Sequence, residues 1–190
     1  MSNNIIATPN MRISLRQITL TGLMTAVICI LAPFSLTIPV SPVQISLGTL
    51  AIYFVLCVLG MKLGTLSVVI YILLGLAGLP VFTGFIGGPG KLFGPTGGYI
   101  LGYVFMALIC GFFVDKWSDK TIMKFLGMVL GTAVLYLFGT VWLAWQASYT
   151  FPQALAAGVL PYIPLDTVKL VIALLVGSRL RSRLLKAGLI

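Results

Sequence analysis

The sequence predicts an all-α integral membrane protein with six transmembrane helices. Several are expected to be short or broken on the outer side, with an irregular Gly/Pro-rich outer loop between helices three and four. Three observations carry this prediction. First, 59% of the 190 residues are hydrophobic and only 8% charged, with a mean hydropathy of +1.14; a soluble domain would carry about 25% charged residues. Second, the apolar residues fall into runs approaching the roughly 20 residues that cross a bilayer. Third, basic residues and prolines separate onto opposite sides of the resulting topology.

The first span is expected from about Arg16 to Ala32, the second from Ser46 to Gly60 and the third from Leu63 to Leu79. The fourth runs from Gly97 to Val114, the fifth from Thr121 to Trp145 and the sixth from Pro164 to Gly177. Residues 1–15 read as an N-terminal tail without a signal-peptide pattern, residues 16–178 as one membrane domain and residues 179–190 as a basic tail. The net charge of +9 is concentrated at one side. Arg12, Arg16, Lys62, Lys116, Lys120, Lys124, Arg179, Arg181, Arg183 and Lys186 flank the ends that share a side in a six-span topology. By the positive-inside rule that side is cytoplasmic, with both termini on it, in a multi-pass plasma-membrane protein. Charges confined to short turns and tails speak for topology and against nucleic acid. Nine of the ten prolines, all but Pro9, fall on the outer side. The predicted sixth helix, at about 1.5 Å per residue, is about 21 Å long. It is short for a core of about 30 Å, which suggests a depression opening outward.

The stretch Gly84–Tyr99 packs seven glycines and two prolines into sixteen residues. Such backbone is neither helix nor strand, and lipid cannot satisfy its polar groups. It is expected to line a cavity as a wall or lid. It is not a phosphate loop. Gly90-Lys91 is followed by Leu92, and Phe85 stands where the first glycine is required.

Asp166 is the one acidic residue within a span, and Lys169 follows at i+3 on the same helix face. Charges at membrane depth usually face a cavity and act there. A carboxylate accepts hydrogen bonds and an ammonium donates them, so the pair suits a small ligand with N–H groups and a carbonyl or carboxylate. Lys91, Gly97, Gly98 and Tyr99 are further candidates for an anionic group. Phe93 and Trp142 are candidates for an apolar ligand face, and Gln44 for a polar cap. Asp115 and Asp119 read as solvated turn charges. The chain has no histidine, and Cys29, Cys57 and Cys110 lie unpaired in apolar runs. No metal site, cofactor or enzymatic chemistry is therefore expected. On the first helix Gly22 and Ala26 form a small-xxx-small pair suited to close helix approach.

Several segments together resemble the BioY family: Ser41-Pro-Val, Gly75-Leu-Ala-Gly-Leu-Pro-Val-Phe82, Gly94-Pro-Thr-Gly-Gly-Tyr99, Gly139-Thr-Val-Trp142 and Asp166-x-x-Lys169. These proteins are the biotin-binding S components of energy-coupling factor transporters. The resemblance implies a six-helix fold that captures biotin from outside. Its partners would be a T component and two ATP-binding subunits, with Gly22 and Ala26 meeting the T component. Asp166 would accept from the ureido N–H groups, Lys169 would donate to the ureido carbonyl or hold Asp166, and Lys91 or loop N–H groups would take the carboxylate. One departure stands out. Where many relatives read Thr-Leu-Gln-Thr, this chain has Ser46-Leu-Gly48-Thr49. Two alternatives stay open at this stage: an S component for another small vitamin, and an autonomous proton-coupled carrier using Asp166.

Overall fold

A computed structural model describes residues 14–37 and 42–189. Most of the expected N-terminal tail, with Pro9 and Arg12, lies outside them, as do Pro39 and Ser41. The chain runs α1 (Leu15–Leu31), β1 (Ser35–Thr37), β2 (Gln44–Ser46), α2 (Gly48–Leu76), α3 (Pro89–Leu92), α4 (Gly97–Lys116), α5 (Thr121–Ala147), α6 (Phe151–Gly158) and α7 (Ile163–Lys186). The helices α4 and α5 are each long and apolar enough to cross a bilayer, α2 is so by its total length, and α6 with α7 forms a bent pair that qualifies together. Their outer faces carry exposed Leu, Ile, Val and Phe side chains such as Leu130, Leu137, Val168 and Leu175, as lipid contact requires.

The segment α2 is two helical arms folded as a hairpin. Gly60 breaks it with φ 76° and ψ −162°, a region open in practice to glycine alone. A Cβ on Gly64 would lie 3.4 Å from the Leu56 Cα. Eight residues apart on a straight helix, those atoms would be separated by about 12 Å. The two arms, residues 48–59 and 61–76, correspond to the second and third expected spans. With α1, α4, α5 and α7 they make the six helices that the sequence predicts. The hairpin is central, packing on α1, α4 and α7, while α4 also packs along α5. Tyr53, Ile52, Leu56, Met106, Met128, Leu135 and Leu143 are fully buried between these elements.

The break at Gly60 gives Asp115 a role that its place in a charged turn concealed. The Asp115 Oδ2 accepts from the Met61 backbone N–H at 2.8 Å, and Oδ1 accepts from Arg181 Nη2 at 2.8 Å. Arg181 Nη1 donates to the Val58 carbonyl at 3.1 Å. The carboxylate thus caps the second arm of α2, and the guanidinium satisfies a carbonyl at the end of the first arm.

Two expectations change at the ends of the bundle. The last helix does not stop at Gly177. It continues to Lys186, so Arg179, Arg181, Arg183 and Lys186 are helical. Apolar periodicity fades after Gly177, but i→i−4 hydrogen bonding does not depend on hydropathy. The space above α7 is not vacant either: α6 occupies it, bent by 50° from α7 and started by a Thr150–Gln153 capping box. The short antiparallel ribbon β1–β2, with Leu36 paired to Ile45, is an addition to the all-helical expectation.

The ends segregate as the charge pattern predicts. Arg16 Nη1 donates to the Gly188 carbonyl at 3.3 Å, so the first and last described helices meet at one end. The Gly60 break, Asp115 and Lys124 lie at that basic end. The ribbon, the Gly/Pro loop and the α6–α7 bend form the other.

Candidate functional site

At the end opposite the basic one, a small cavity is lined by Val43, Gln44, Ile45 and Ser46 of the ribbon region, Thr49 of α2, Tyr99 and Tyr103 of α4, Leu135 and Tyr136 of α5, Gly158, and Tyr162, Asp166 and Lys169 at the start of α7. Its free volume is about 40 Å³, room for about three waters.

Asp166 enters on the first turn of α7, just past the bend, and is 6% exposed; Lys169 is 8% exposed. The Lys169 ammonium donates to Asp166 Oδ1 at 2.8 Å, to the Ser46 carbonyl at 2.8 Å and to Thr49 Oγ1 at 3.2 Å. Those three acceptors use its three donors. Thr49 Oγ1 in turn donates to Asp166 Oδ1 at 3.1 Å, and Tyr136 Oη donates to Asp166 Oδ2 at 2.7 Å. The carboxylate is thereby held from three elements, α2, α5 and α7. Oδ1 accepts two bonds and Oδ2 one, so Oδ2 keeps a lone pair for an N–H donor. Lys169 is fully engaged by protein acceptors, Asp166 Oδ1 among them.

The Tyr99 and Tyr162 rings form apolar walls while their hydroxyls are tied to backbone carbonyls. Tyr99 Oη donates to the Gly158 carbonyl at 3.0 Å, and Tyr162 Oη donates to the Val43 carbonyl. Fixing each hydroxyl on backbone leaves the ring faces for a ligand's apolar body. At the rim, Gln44 Oε1 accepts from Ser35 Oγ at 3.3 Å and its Nε2 donates to Thr37 Oγ1 at 3.2 Å. Behind Tyr136 and Asp166 lies a second, largely apolar crevice of about 170 Å³ between α5 and α7. The Tyr136–Asp166 pair is the wall between the two.

Of the residues singled out from sequence, Asp166, Lys169, Gln44 and Tyr99 meet at the cavity. Lys91, Phe93, Gly97, Gly98 and Trp142 are not among its lining residues. Lys91 is half-exposed on the short α3, where partial burial lowers its pKa, and Phe93 is exposed. Gly97 and Gly98 serve packing: a Cβ on Gly97 would lie 1.7 Å from the Leu92 carbonyl oxygen, and one on Gly98 would lie 2.2 Å from the Trp142 Cβ. The Trp142 Nε1 donates to the Gly94 carbonyl at 3.0 Å, and Gln146 Nε2 donates to the Phe93 carbonyl at 2.8 Å. The Gly88 and Gly84 N–H groups donate to the Gly75 and Pro33 carbonyls. Much of the polar backbone of the Gly/Pro stretch is therefore satisfied by protein, and of its sixteen residues Tyr99 alone is in the cavity lining. The ribbon supplies the wall assigned to that stretch.

Sequence reasoning did not single out Ser46, Thr49, Tyr103 or Tyr136 as site residues. The signal available was a tyrosine in mid-span: a phenol inside hydrocarbon needs a partner, and Tyr136 and Asp166 are the pair that results. On α1, Thr25 Oγ1 donates to the Ser67 carbonyl at 3.4 Å and Ser67 Oγ donates to the Thr21 carbonyl at 3.3 Å. This seals the threonine ridge against α2. Gly22 and Ala26 face outward, and a Cβ on Gly22 would meet nothing within 4 Å.

Residues 4–186 match the BioY family. The chain belongs to the BioY family. The biotin transporter BioY of Thermotoga maritima is 36% identical over 168 residues, covering 88% of this chain and 97% of that one. A probable biotin transporter BioY of Pyrococcus horikoshii is 37% identical over 167 residues, with the same coverage of each chain. Among solved structures, the S component for biotin from an ECF-type ABC transporter superposes with a TM-score of 0.84 at 31% identity, covering 96% of this chain and 95% of that one. The BioY resemblance read from Asp166-x-x-Lys169 and the Gly94–Tyr99 block thus extends over the whole fold.

Proposed function

We propose that the chain captures biotin at the cavity around Asp166, as the substrate-binding S component of an ATP-driven vitamin uptake transporter, and performs no chemistry on it. The carboxylate carries this reading: it is buried, held by Lys169, Thr49 and Tyr136, lines the cavity and has acceptor capacity left on Oδ2. Biotin's ureido ring offers two N–H donors, and a charged acceptor makes such hydrogen bonds strong. Tyr99, Tyr103 and Tyr162 cover the fused rings. The carboxylate-bearing chain then points toward the ribbon, with Gln44 at the rim. The cavity is narrower than biotin, so uptake requires the ribbon side to part from α7, where Tyr162 bonds to the Val43 carbonyl.

The direct test is a titration of the purified chain, without partners, in detergent. Tight, saturable biotin binding is expected; binding only at millimolar biotin would overturn the reading. In the same assay Tyr136→Phe keeps the ring but removes one holder of Asp166. An approximately tenfold weaker affinity is expected, given the value of a hydrogen bond to a charged group. Lys91→Gln should match the parent chain.

Partners follow from the family. The outward face of Gly22 and Ala26 is the proposed seat of the T component, with two ATP-binding subunits beyond it. Gly22→Leu should leave biotin affinity unchanged and abolish co-purification with co-expressed partner subunits. Co-purification at the parental level would place the interface elsewhere. The basic end, with both described termini, is proposed to face the cytoplasm on the positive-inside rule.

A further inference from the structure

At the basic end, two cationic side chains on α5 and α7 are only partly satisfied by protein acceptors. Two ion pairs exist among the described residues, Lys169–Asp166 and Arg181–Asp115. Lys124, on the first turn of α5, has neither, although it is 5% exposed. Its Nζ donates to Ser178 Oγ of α7 at 3.4 Å, a long contact for a group with three donors. A buried ammonium served this thinly is costly unless an anion completes it.

One turn along α7 from Ser178 stands Arg181. Its two terminal nitrogens serve Val58 and Asp115, but its Nε is buried with no hydrogen-bond partner. Gly177, next to Ser178, packs α7 against Cys57 of α2: a Cβ on Gly177 would lie 2.5 Å from the Cys57 Cβ.

The start of α5 adds a third signal. This 27-residue helix has no side-chain cap and no acidic residue in its first turn. Lys120 stands at its N-cap and Lys124 in that turn. Both cations sit at the positive end of the helix dipole, where an anion is favoured, and the first N–H groups of a helix lack intrahelical acceptors.

We propose that the niche formed by Lys124, Ser178 and Arg181 at the start of α5 binds a phosphate-type anion. Its oxygens would complete Lys124 Nζ and Arg181 Nε. Phospholipid headgroups and free inorganic phosphate share this chemistry. The lipid-facing apolar surface of the bundle brings headgroups to this end, and basic niches between membrane helices suit them.

The test uses the delipidated full chain in a phosphate-free maltoside detergent. Phosphatidylglycerol is titrated in one arm and sodium phosphate in another, each against sodium chloride at matched ionic strength. Thermal unfolding and native mass spectrometry read binding. Phosphatidylglycerol is expected to raise the melting temperature and persist as an adduct. Lys124→Met should weaken that binding about tenfold, by the value of a hydrogen bond to a charged group. Ser178→Ala should weaken it less, and Lys62→Gln, which removes an exposed lysine, should leave it unchanged. An equal response to inorganic phosphate alone identifies the occupant as the free ion. The proposal is overturned if neither anion stabilises the chain, or if Lys124→Met and Ser178→Ala both behave as Lys62→Gln does.

Discussion

Asp166→Asn should weaken biotin binding about a hundredfold while leaving a folded protein. The substitution preserves shape and removes the charge. The introduced amide would still accept at one atom, but it can no longer serve Lys169, Thr49 and Tyr136 together and also receive an N–H from the ligand. A hydrogen bond to a charged partner is worth about 1.5–3 kcal/mol, or about 10–150-fold in affinity. The donor network around the remaining oxygen also loses its anion. Asp166→Ala goes further, because it leaves the Lys169 ammonium buried and unpaired. Breaking a buried pair in this way costs about 3–5 kcal/mol, so this variant should also melt at a lower temperature. Isothermal titration with biotin and a thermal melt of each variant separate the two effects. Parental affinity in Asp166→Asn would reduce the Asp166–Lys169 pair to a packing element.

Gly60→Ala should be the most destabilising single-methyl change at the basic end. The residue's φ of 76° with ψ −162° costs a side-chain-bearing residue roughly 1–3 kcal/mol. A Cβ there would stand 2.0 Å from Asp115 Oδ1. Relieving that clash displaces the carboxylate from the Met61 N–H and from Arg181, so the turn loses its cap as well as its geometry. A total of about 2.5–6 kcal/mol follows from the backbone cost plus a lost charged hydrogen bond. The measurement is thermal unfolding of Gly60→Ala, Asp115→Ala and the double variant. The double should be less destabilised than the sum of the singles, because without the carboxylate the new methyl meets less. Strict additivity, or an unchanged melt for Gly60→Ala, would contradict this account. Biotin affinity of the folded fraction should be parental. Asp115 lies 12 residues along α4 from Tyr103 at the cavity, about 18 Å at helical rise.

These two sites differ in how far the sequence exposes them. Asp166 and Lys169 are conspicuous because charge inside a hydrophobic run is expensive wherever the run packs. Their i,i+3 spacing is a property of one helix. Asp115 reads from sequence as a solvated turn charge, since nothing near it in the chain distinguishes it from Asp119. Its partners, Met61 and Arg181, are 54 and 66 residues away. The Gly/Pro stretch is legible as irregular backbone on the outer side, yet what satisfies it is not. A Trp142 indole and a Gln146 amide arrive from α5, and the Gly75 and Pro33 carbonyls from earlier in the chain.

By itself the sequence determined the membrane class, the six helices, the separation of a basic end from a proline-rich end, the BioY resemblance and the Asp166–Lys169 pair. Hydropathy, turn chemistry and charge act over a few residues, so they can be read segment by segment. Only the tertiary structure decided that Lys169 spends its donors on Ser46, Thr49 and Asp166, and that Tyr136 closes the site from α5. The same holds for the bend that sets α6 against the start of α7, and for the close packing of Gly98 on Trp142. Those outcomes depend on hydrogen bonds and steric fits between elements far apart in the chain, and no local pattern encodes which distant partner a side chain will meet.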